Sequence, residues 1–242
     1  MRVGRSSRPA AGDRDARRTT PLNRALSKLG FLSRAQATDA IRAGRVRVSG
    51  QVITDPRHPV VPERVRLAID DAPRARAAWR TLLFHKPRGV VTTARDPDRR
   101  RTIYDVLGEA GEGLIAAGRL DLASSGLLVL TNDTQLAHWI TDPANAIPRV
   151  YVVTVAGEMT RELSGVTVRK RSNRETHLLV ELRQGRNREI RKLFESIGHE
   201  VTRLKRVRFG GLDLGDLRPG TWRELTRSEV RAAFPGARIH RN

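Results

Sequence analysis

The stretch AAGRLDLASSG, residues 116–126, sets a single carboxylate, Asp121, two residues after Arg119 and beside a patch of very small residues, just ahead of the apolar run LLVLTND. A carboxylate can attack carbon, take a proton or anchor a cation, and each task needs it ionised. Buried without a cation nearby, it would hold its proton and be inert. By spacing alone Asp121 reads equally as a turn-former or a helix cap, so its chemistry depends on what the fold brings to it. Other reactive groups are poorly supplied. The chain has no Cys, which excludes disulfides, thiolate metal sites and Cys nucleophiles and suits a reducing compartment. The six His residues show no paired metal spacing. Ser124-Ser125-Gly126 is not a nucleophile elbow, which needs Gly two residues before and after the Ser. GEAGEG at 108–113 lacks the setting of a dinucleotide loop and reads as a flexible surface connection, and there is no Walker lysine motif.

The acid sits in a strongly cationic chain. Lys plus Arg is 46 against 26 for Asp plus Glu, a formal net charge of +20 over 242 residues, and only five of the 46 bases are Lys. Such a field attracts polyanions, nucleic acid first among them. Arginine suits phosphate and stacking contacts. An anionic membrane surface is the rival partner, but no long helix with a broad, bulky apolar face is visible. No apolar run is long enough to span a bilayer, and the N-terminus lacks the apolar core of a secretion signal. The expected location is the cytoplasm.

The elements that must position Asp121 fall into two textures. Residues 1–20 carry six Arg, two Asp and almost nothing apolar, and read as a disordered basic arm. Leu22, Ala25, Leu26 and Leu29 then recur at helical spacing, with Gly30 to close the helix. Ser33 and Gln36 form a capping box for a second helix with Ala37, Ala40 and Ile41 on its apolar stripe. Val46, Val48, Val52 and Ile53 flank the two-residue turn Ser49-Gly50. Arg34, Arg42, Arg45 and Arg47 are placed to form one basic surface. DDAPRARAAWR reads as a linker over 71–79. Beyond it, TLLFHKPRGVVTT reads as two strands broken at Pro-Gly. GLLVLTND, RVYVVTVAG, THLLVELRQG and EVTRLKRVRFG also read as strands. DTQLAHWIT reads as a helix capped by Asn132 or Asp133, and NREIRKLFESIG as a helix burying Ile190, Leu193, Phe194 and Ile197. Strands and helices do not alternate strictly, which predicts an α+β fold with a mixed, mainly antiparallel sheet.

Over residues 21–70, LSRAQATDAIRAGRVRVSGQVI resembles the S4 RNA-binding module. Further on, HKPRG, GRLDLASSGLLVLTND, RVYVVTV, GRNREIRKLF and GHEVTRLKRVRFGGLDLGDLRPGTWRELT follow, in order, the signatures of the pseudouridine synthases. The likeness is to the branch that carries an S4 module and modifies uridines in ribosomal RNA. The resemblance implies an S4-type helix-hairpin domain over 21–70, a catalytic domain over 80–235 and a tail over 236–242. It implies a monomer acting on ribosomal RNA or a ribosomal assembly intermediate, large-subunit RNA before small-subunit, without membrane, metal or cofactor.

The same resemblance assigns roles. Asp121 becomes the catalytic carboxylate, attacking C1′ to give an ester or taking the 2′ proton to give a glycal; sequence does not choose between them. Arg191 becomes the ion-pair partner that keeps it charged and aimed. Tyr151 stacks on a flipped uracil, Arg119 fills the space the base leaves, and Leu204 lines the pocket. Lys86, Arg186, Arg188 and Lys205 join the arginines of the first domain as RNA contacts; residues 183–208 carry nine bases and three acids. Three positions depart from the family pattern: Glu189 where Gln is usual, Arg149 where Lys is usual and His85 where Asn is usual. The rival function is a non-catalytic RNA-binding or ribosome-assembly factor on the same fold, which would need no carboxylate facing an anionic backbone.

Overall fold

The computed structural model describes residues 19–29, 31–32, 34–62, 64–73, 78–184, 188–237 and 239. The chain divides into two compact units, Met1–Ala78 and Trp79–Asn242. Of the basic arm read over 1–20, residues 1–18 lie outside the described residues, as do Gly30, Ser33 and Arg186, whereas Thr20 is in a strand.

In the first unit, β1 (Thr20–Pro21) leads into α1 (Leu22–Lys28), which packs on α2 (Arg34–Arg42). Leu22, Ala25 and Leu26 meet Ala37, Ala40 and Ile41 in one buried cluster, as the helical spacing requires. β2 (Val46–Val48) and β3 (Gln51–Val52) form a hairpin, and β2 also pairs with β5 (Leu67–Ile69), which pairs with β6 (Ala72–Pro73). β4 (Pro59–Val60) pairs with β1. Ser49 and Gly50 both have positive φ, 50° and 90°, the backbone that a tight two-residue hairpin needs. Asp70 and Asp71 turn β5 into β6 in the same way, with φ 55° and 59°. β6 thus lies inside the segment read as linker, and it pairs within the first unit.

The second unit is built on a nine-stranded sheet. Its main order is β11 (Val166–Arg171), β12 (Glu175–Leu182), β10 (Arg149–Ala156), β13 (Val201–Phe209), β9 (Ser125–Thr131), β7 (Thr81–Lys86) and β15 (Trp222–Glu224). β8 (Ile115–Ala117) adds to β9 and β14 (Leu212–Asp213) to β13. Pairing is antiparallel except where β13 runs parallel to β9, so the sheet is mixed and mainly antiparallel, as expected.

Alternation along β7 and β9 sorts their side chains onto two faces. Leu82, Phe84, Leu128 and Leu130 pack on one cluster with Ile103 and Leu107 of α3 (Ile103–Leu107) and Ile190 and Phe194 of α5 (Glu189–Glu195). Leu83, Leu127 and Val129 pack on the other with α4 (Thr134–Thr141) and α6 (Arg227–Ala233). Helices cover both faces, which is why β9 is an unbroken apolar run. Asp133 caps α4, accepting from the backbone N–H of Gln135 and Leu136.

Four readings are corrected. Val91, in the second half of TLLFHKPRGVVTT, makes only an isolated bridge to Thr102 and no strand, because the chain leaves the sheet after Lys86. GEAGEG is not a loose connection: Gly108–Gly111 form a 3-10 turn with Gly111 buried against Leu107 and Tyr104. β11 is a strand at the sheet edge although almost every residue in it is exposed. α3 and α6 are helices that periodicity did not reveal, each opened by a capping box, Thr102 with Asp105 and Thr226 with Glu229.

Candidate active site

The loop joining β8 to β9 carries Asp121, and every carbonyl from 120 to 124 on it has a donor. The Thr92 hydroxyl donates to Leu120 at 2.8 Å and accepts from the Leu120 N–H. The Ser124 N–H donates to Asp121 at 2.9 Å and the Gly89 N–H to Leu122 at 2.8 Å. Arg191 Nη2 reaches the Ala123 carbonyl at 3.4 Å. Lys86 Nζ donates to the carbonyls of Asp121, Ser124 and Pro87 at 3.1, 2.9 and 3.1 Å. Gly118, with φ 86°, opens the loop, and Leu120 is sunk in the core beneath it. A short loop with its backbone so engaged fixes where the half-buried Asp121 side chain stands.

This corrects the reading of Lys86. The side chain is 0% exposed at the end of β7 and its three hydrogen bonds run to backbone carbonyls inside the unit. Burial pushes its ammonium down from 10.5 to about 8, while the Asp121 charge pulls the other way. Lys86 is an internal tie for the Asp121 loop.

Asp121 stands at a cleft of about 590 Å³, a size that suits a nucleoside-scale ligand. Arg119, Tyr151, Arg188 and Leu204 line the same cleft. Tyr151 and Leu204 project from neighbouring strands and are nearly buried, both at 9% exposure, while Arg119 and Arg188 are exposed. Arg191, on α5, is within electrostatic range of Asp121 but not in contact with it. Its Nη1 donates to the Val201 carbonyl at 2.8 Å and its Nη2 to Ala123, and among the described residues Asp121 has no contact ion pair. The expected Asp121–Arg191 pair is therefore an attraction across space, with the guanidinium anchored on carbonyls. Burial lowers the Arg191 pKa first, Arg188 adds to that, and Asp121 opposes it.

Comparison with known proteins gives the family. The family described as RNA pseudouridylate synthase matches residues 80–196, and the S4 domain matches residues 20–65. A relative in Aquifex aeolicus, named as an uncharacterized RNA pseudouridine synthase, is 32% identical over 231 residues, 88% of this chain and 93% of the relative. This chain is an RNA pseudouridine synthase. The ribosomal large subunit pseudouridine synthase B of Bacillus subtilis is 32% identical to this synthase across 87% of the chain and 93% of the relative. The protein of that name in Vibrio cholerae is 35% identical across 86% and 72%. A crystal structure of a pseudouridylate synthase superposes with a TM-score of 0.58 at 26% identity, covering 87% of this chain and 98% of that one.

Of the other residues singled out in this synthase, Lys205 alternates away from Leu204 and does not line the cleft. In the first unit Arg34 and Arg42 are exposed on α2. Arg45 grips Asp70 through two hydrogen bonds of 2.6 Å, and Arg47 Nε meets Asp71 at 2.5 Å. The basic surface is thus partly neutralised at the hairpin.

One cleft residue, Arg206, escaped sequence reasoning, and Arg149 was noted only as a departure from the family pattern. Arg149 and Arg206 are both buried and both line the cleft, their guanidinium carbons 5.0 and 4.8 Å from the centre of the Phe209 ring. A signal existed: Arg206 is two residues from Leu204 on one strand and therefore faces the same way.

Proposed function

We propose that this synthase converts one uridine of ribosomal RNA into pseudouridine, with large-subunit RNA as its substrate, in the cytoplasm where ribosomes mature. The names of the Bacillus and Vibrio relatives support the substrate. The supporting observation for the chemistry is Asp121 itself: a half-buried carboxylate on a fully tied loop, at one cleft with Tyr151 and within the field of Arg191.

A uridine stacked in a helix cannot enter such a cleft, so the base is turned out, at a cost of a few kcal/mol. Tyr151 supplies the aromatic face for the extruded uracil, a contact worth roughly 1–3 kcal/mol, with Leu204 beside it. Arg119, exposed next to Asp121, occupies the gap in the RNA. Ionised Asp121 then acts at the ribose, either bonding to C1′ or taking the 2′ proton, and in both routes the C1′–N1 electron pair leaves with the base. After the base rotates, C5 bonds to C1′ as the Asp121 ester bond breaks, or as Asp121 returns the 2′ proton to the glycal; the C5 proton is then released while N1 gains a proton, so the carboxylate is regenerated and the product is an isomer. Arg191 and Lys86 keep a cationic field around the loop. The first unit, with Arg34 and Arg42 exposed, adds sequence-independent grip on phosphate.

The test is tritium release from RNA labelled at uridine C5. Asp121→Asn, nearly isosteric, is expected to bind RNA as the wild type does and to release no tritium. Equal release by both proteins would remove Asp121 from the reaction. Binding is expected to weaken steeply as salt rises, because phosphate contacts release counterions.

A further inference from the structure

Among the described residues, Arg206 is a buried cation that meets a carbonyl and an aromatic ring but no carboxylate. It is 3% exposed, its Nε donates to the Leu127 carbonyl at 2.7 Å, and its Nη2 is buried without a hydrogen-bond partner. No carboxylate among the described residues pairs with it, and the nearby buried Arg149 repels it. Arg149 by contrast gives its Nη1 to the Ile147 carbonyl at 2.8 Å. An uncompensated buried guanidinium is costly to fold around, so its persistence calls for an anion that arrives from outside.

Its place narrows the choice of anion. Arg206 is the direct register partner of Tyr151 across β10 and β13, and cross-strand partners present their side chains side by side on one face. On its other side Arg206 abuts Gly126 of β9, where a Cβ would lie 2.2 Å from the Arg206 carbonyl oxygen, so the strand carrying the guanidinium is pressed close to the Asp121 loop. Ser124, whose buried Oγ also lacks a partner, lines the same cleft. RNA phosphates meet a protein at its surface, whereas this cation sits at the floor of the cleft, beside the aromatic ring.

We infer that Arg206 receives the negative charge of the uracil as its bond to ribose breaks. The inference rests on the function proposed above. When C1′–N1 cleaves, the electron pair stays on N1 and spreads onto the O2 and O4 oxygens, while C1′ is taken by the Asp121 carboxylate or the glycal double bond. A guanidinium, with donors and no acceptor, hydrogen-bonds such an oxygen and strengthens its hold as charge grows. Arg206 is thus a substrate-contacting residue that stabilises the detached base.

The experiment compares wild type with Arg206→Gln and Arg206→Lys under single turnover, with enzyme saturating. Reaction is read by nuclease digestion and chromatography, as pseudouridine formed from a target uridine and as 5-fluorouridine consumed at the target, because C5 there carries fluorine in place of the proton that is released. Fluorine makes the departing pyrimidine anion more stable and less dependent on help. Arg206→Gln is expected to slow uridine conversion about 100- to 1,000-fold with RNA affinity unchanged, and Arg206→Lys to recover part of the rate. The loss on fluorinated RNA should be at least about tenfold smaller. Equal losses on both RNAs would mean a structural role, and weakened RNA binding with an unchanged rate would mean a phosphate contact; either overturns the inference. Asp121→Asn, run alongside, separates the two readings. If it is inactive while Arg206→Gln behaves as wild type, only the inference fails, whereas an active Asp121→Asn defeats the proposed function. Should Arg206→Gln not fold, the fluorine comparison is read on Arg206→Lys.

Discussion

Two aspartate–arginine neighbourhoods of this chain are built in opposite ways. At the β5–β6 turn, Asp70 and Asp71 are exposed and lie in direct contact with Arg45 and Arg47. At the cleft, Asp121 has no contact ion pair among the described residues, and the cations around it, Lys86 and Arg191, are anchored on backbone carbonyls. The exposed pairs neutralise one another in water, where they contribute little. In the cleft the charges are held apart by the backbone, so the carboxylate meets a substrate with its charge undiminished. Surface charge here is compensated locally, and cleft charge is positioned.

Two glycines measure how much backbone precision each region needs. Gly126 has φ 115°, and a Cβ there would lie 2.2 Å from the Arg206 carbonyl oxygen and 2.5 Å from its nitrogen. Gly50, in the β2–β3 turn, has φ 90° and open space where its Cβ would be. Gly126→Ala is expected to destabilise the second unit by more than about 4 kcal/mol, because two strands must separate. Gly50→Ala carries only the left-handed backbone penalty, about 1 kcal/mol. Chemical denaturation of both variants checks the contrast, and similar losses would mean that the close approach of β9 and β13 is not what holds the cleft.

Lys86 offers the next largest effect. Lys86→Met keeps the length of the side chain and removes the three hydrogen bonds that Lys86 donates to backbone carbonyls, with an expected loss of about 3 kcal/mol. Turnover should fall about 100-fold through misplacement of Asp121, with RNA affinity retained. The pH dependence separates loop placement from stability. The folded chain loses the Lys86 proton near pH 8 and the unfolded chain near 10.5. Between those values the unfolded state binds more protons, so this group's contribution to folding stability rises with pH. Activity moves the other way, because the amine loses a donor and its attraction for Asp121. Denaturation and single-turnover rates measured from pH 7 to 10 should diverge in the wild type, and the stability rise should vanish in Lys86→Met. Parallel curves in the wild type would place the titration elsewhere.

The same contrast explains what was legible in the sequence. Periodicity found α1 and α2 because Leu22, Ala25, Leu26, Ala37, Ala40 and Ile41 obey one helical face, and Ser49-Gly50 and Asp133 announced their turn and cap through local chemistry. The family motifs led to Asp121, Tyr151 and Leu204, which the fold gathers at one cleft. Long-range relations were not legible. A basic residue looks the same in sequence whether it meets solvent or three carbonyls, so Lys86 was read as an RNA contact. Arg206 passed for one more surface base among nine in its window, because charge composition does not report burial. β11 escaped because its apolar alternation is only Val166 and Val168 before the run Arg169-Lys170-Arg171, and α3 and α6 because short helices rest on capping boxes more than on a stripe.

The smallest effect sharpens the comparison from the surface side. Asp70→Asn and Asp71→Asn keep the turn, since Asn accepts the left-handed backbone that both positions adopt. Little stability should be lost, because both partners of each pair are exposed. Two negative charges disappear beside Arg45 and Arg47. If the first unit grips phosphates, the double variant binds RNA about two- to fivefold more tightly at low salt, and its salt slope steepens as the released arginines displace more counterions. The gain should fade at high salt, and turnover at saturating RNA should not change. Weaker binding would mean that the aspartates aim Arg45 and Arg47 rather than neutralise them, which would bring the turn under the same rule as the cleft.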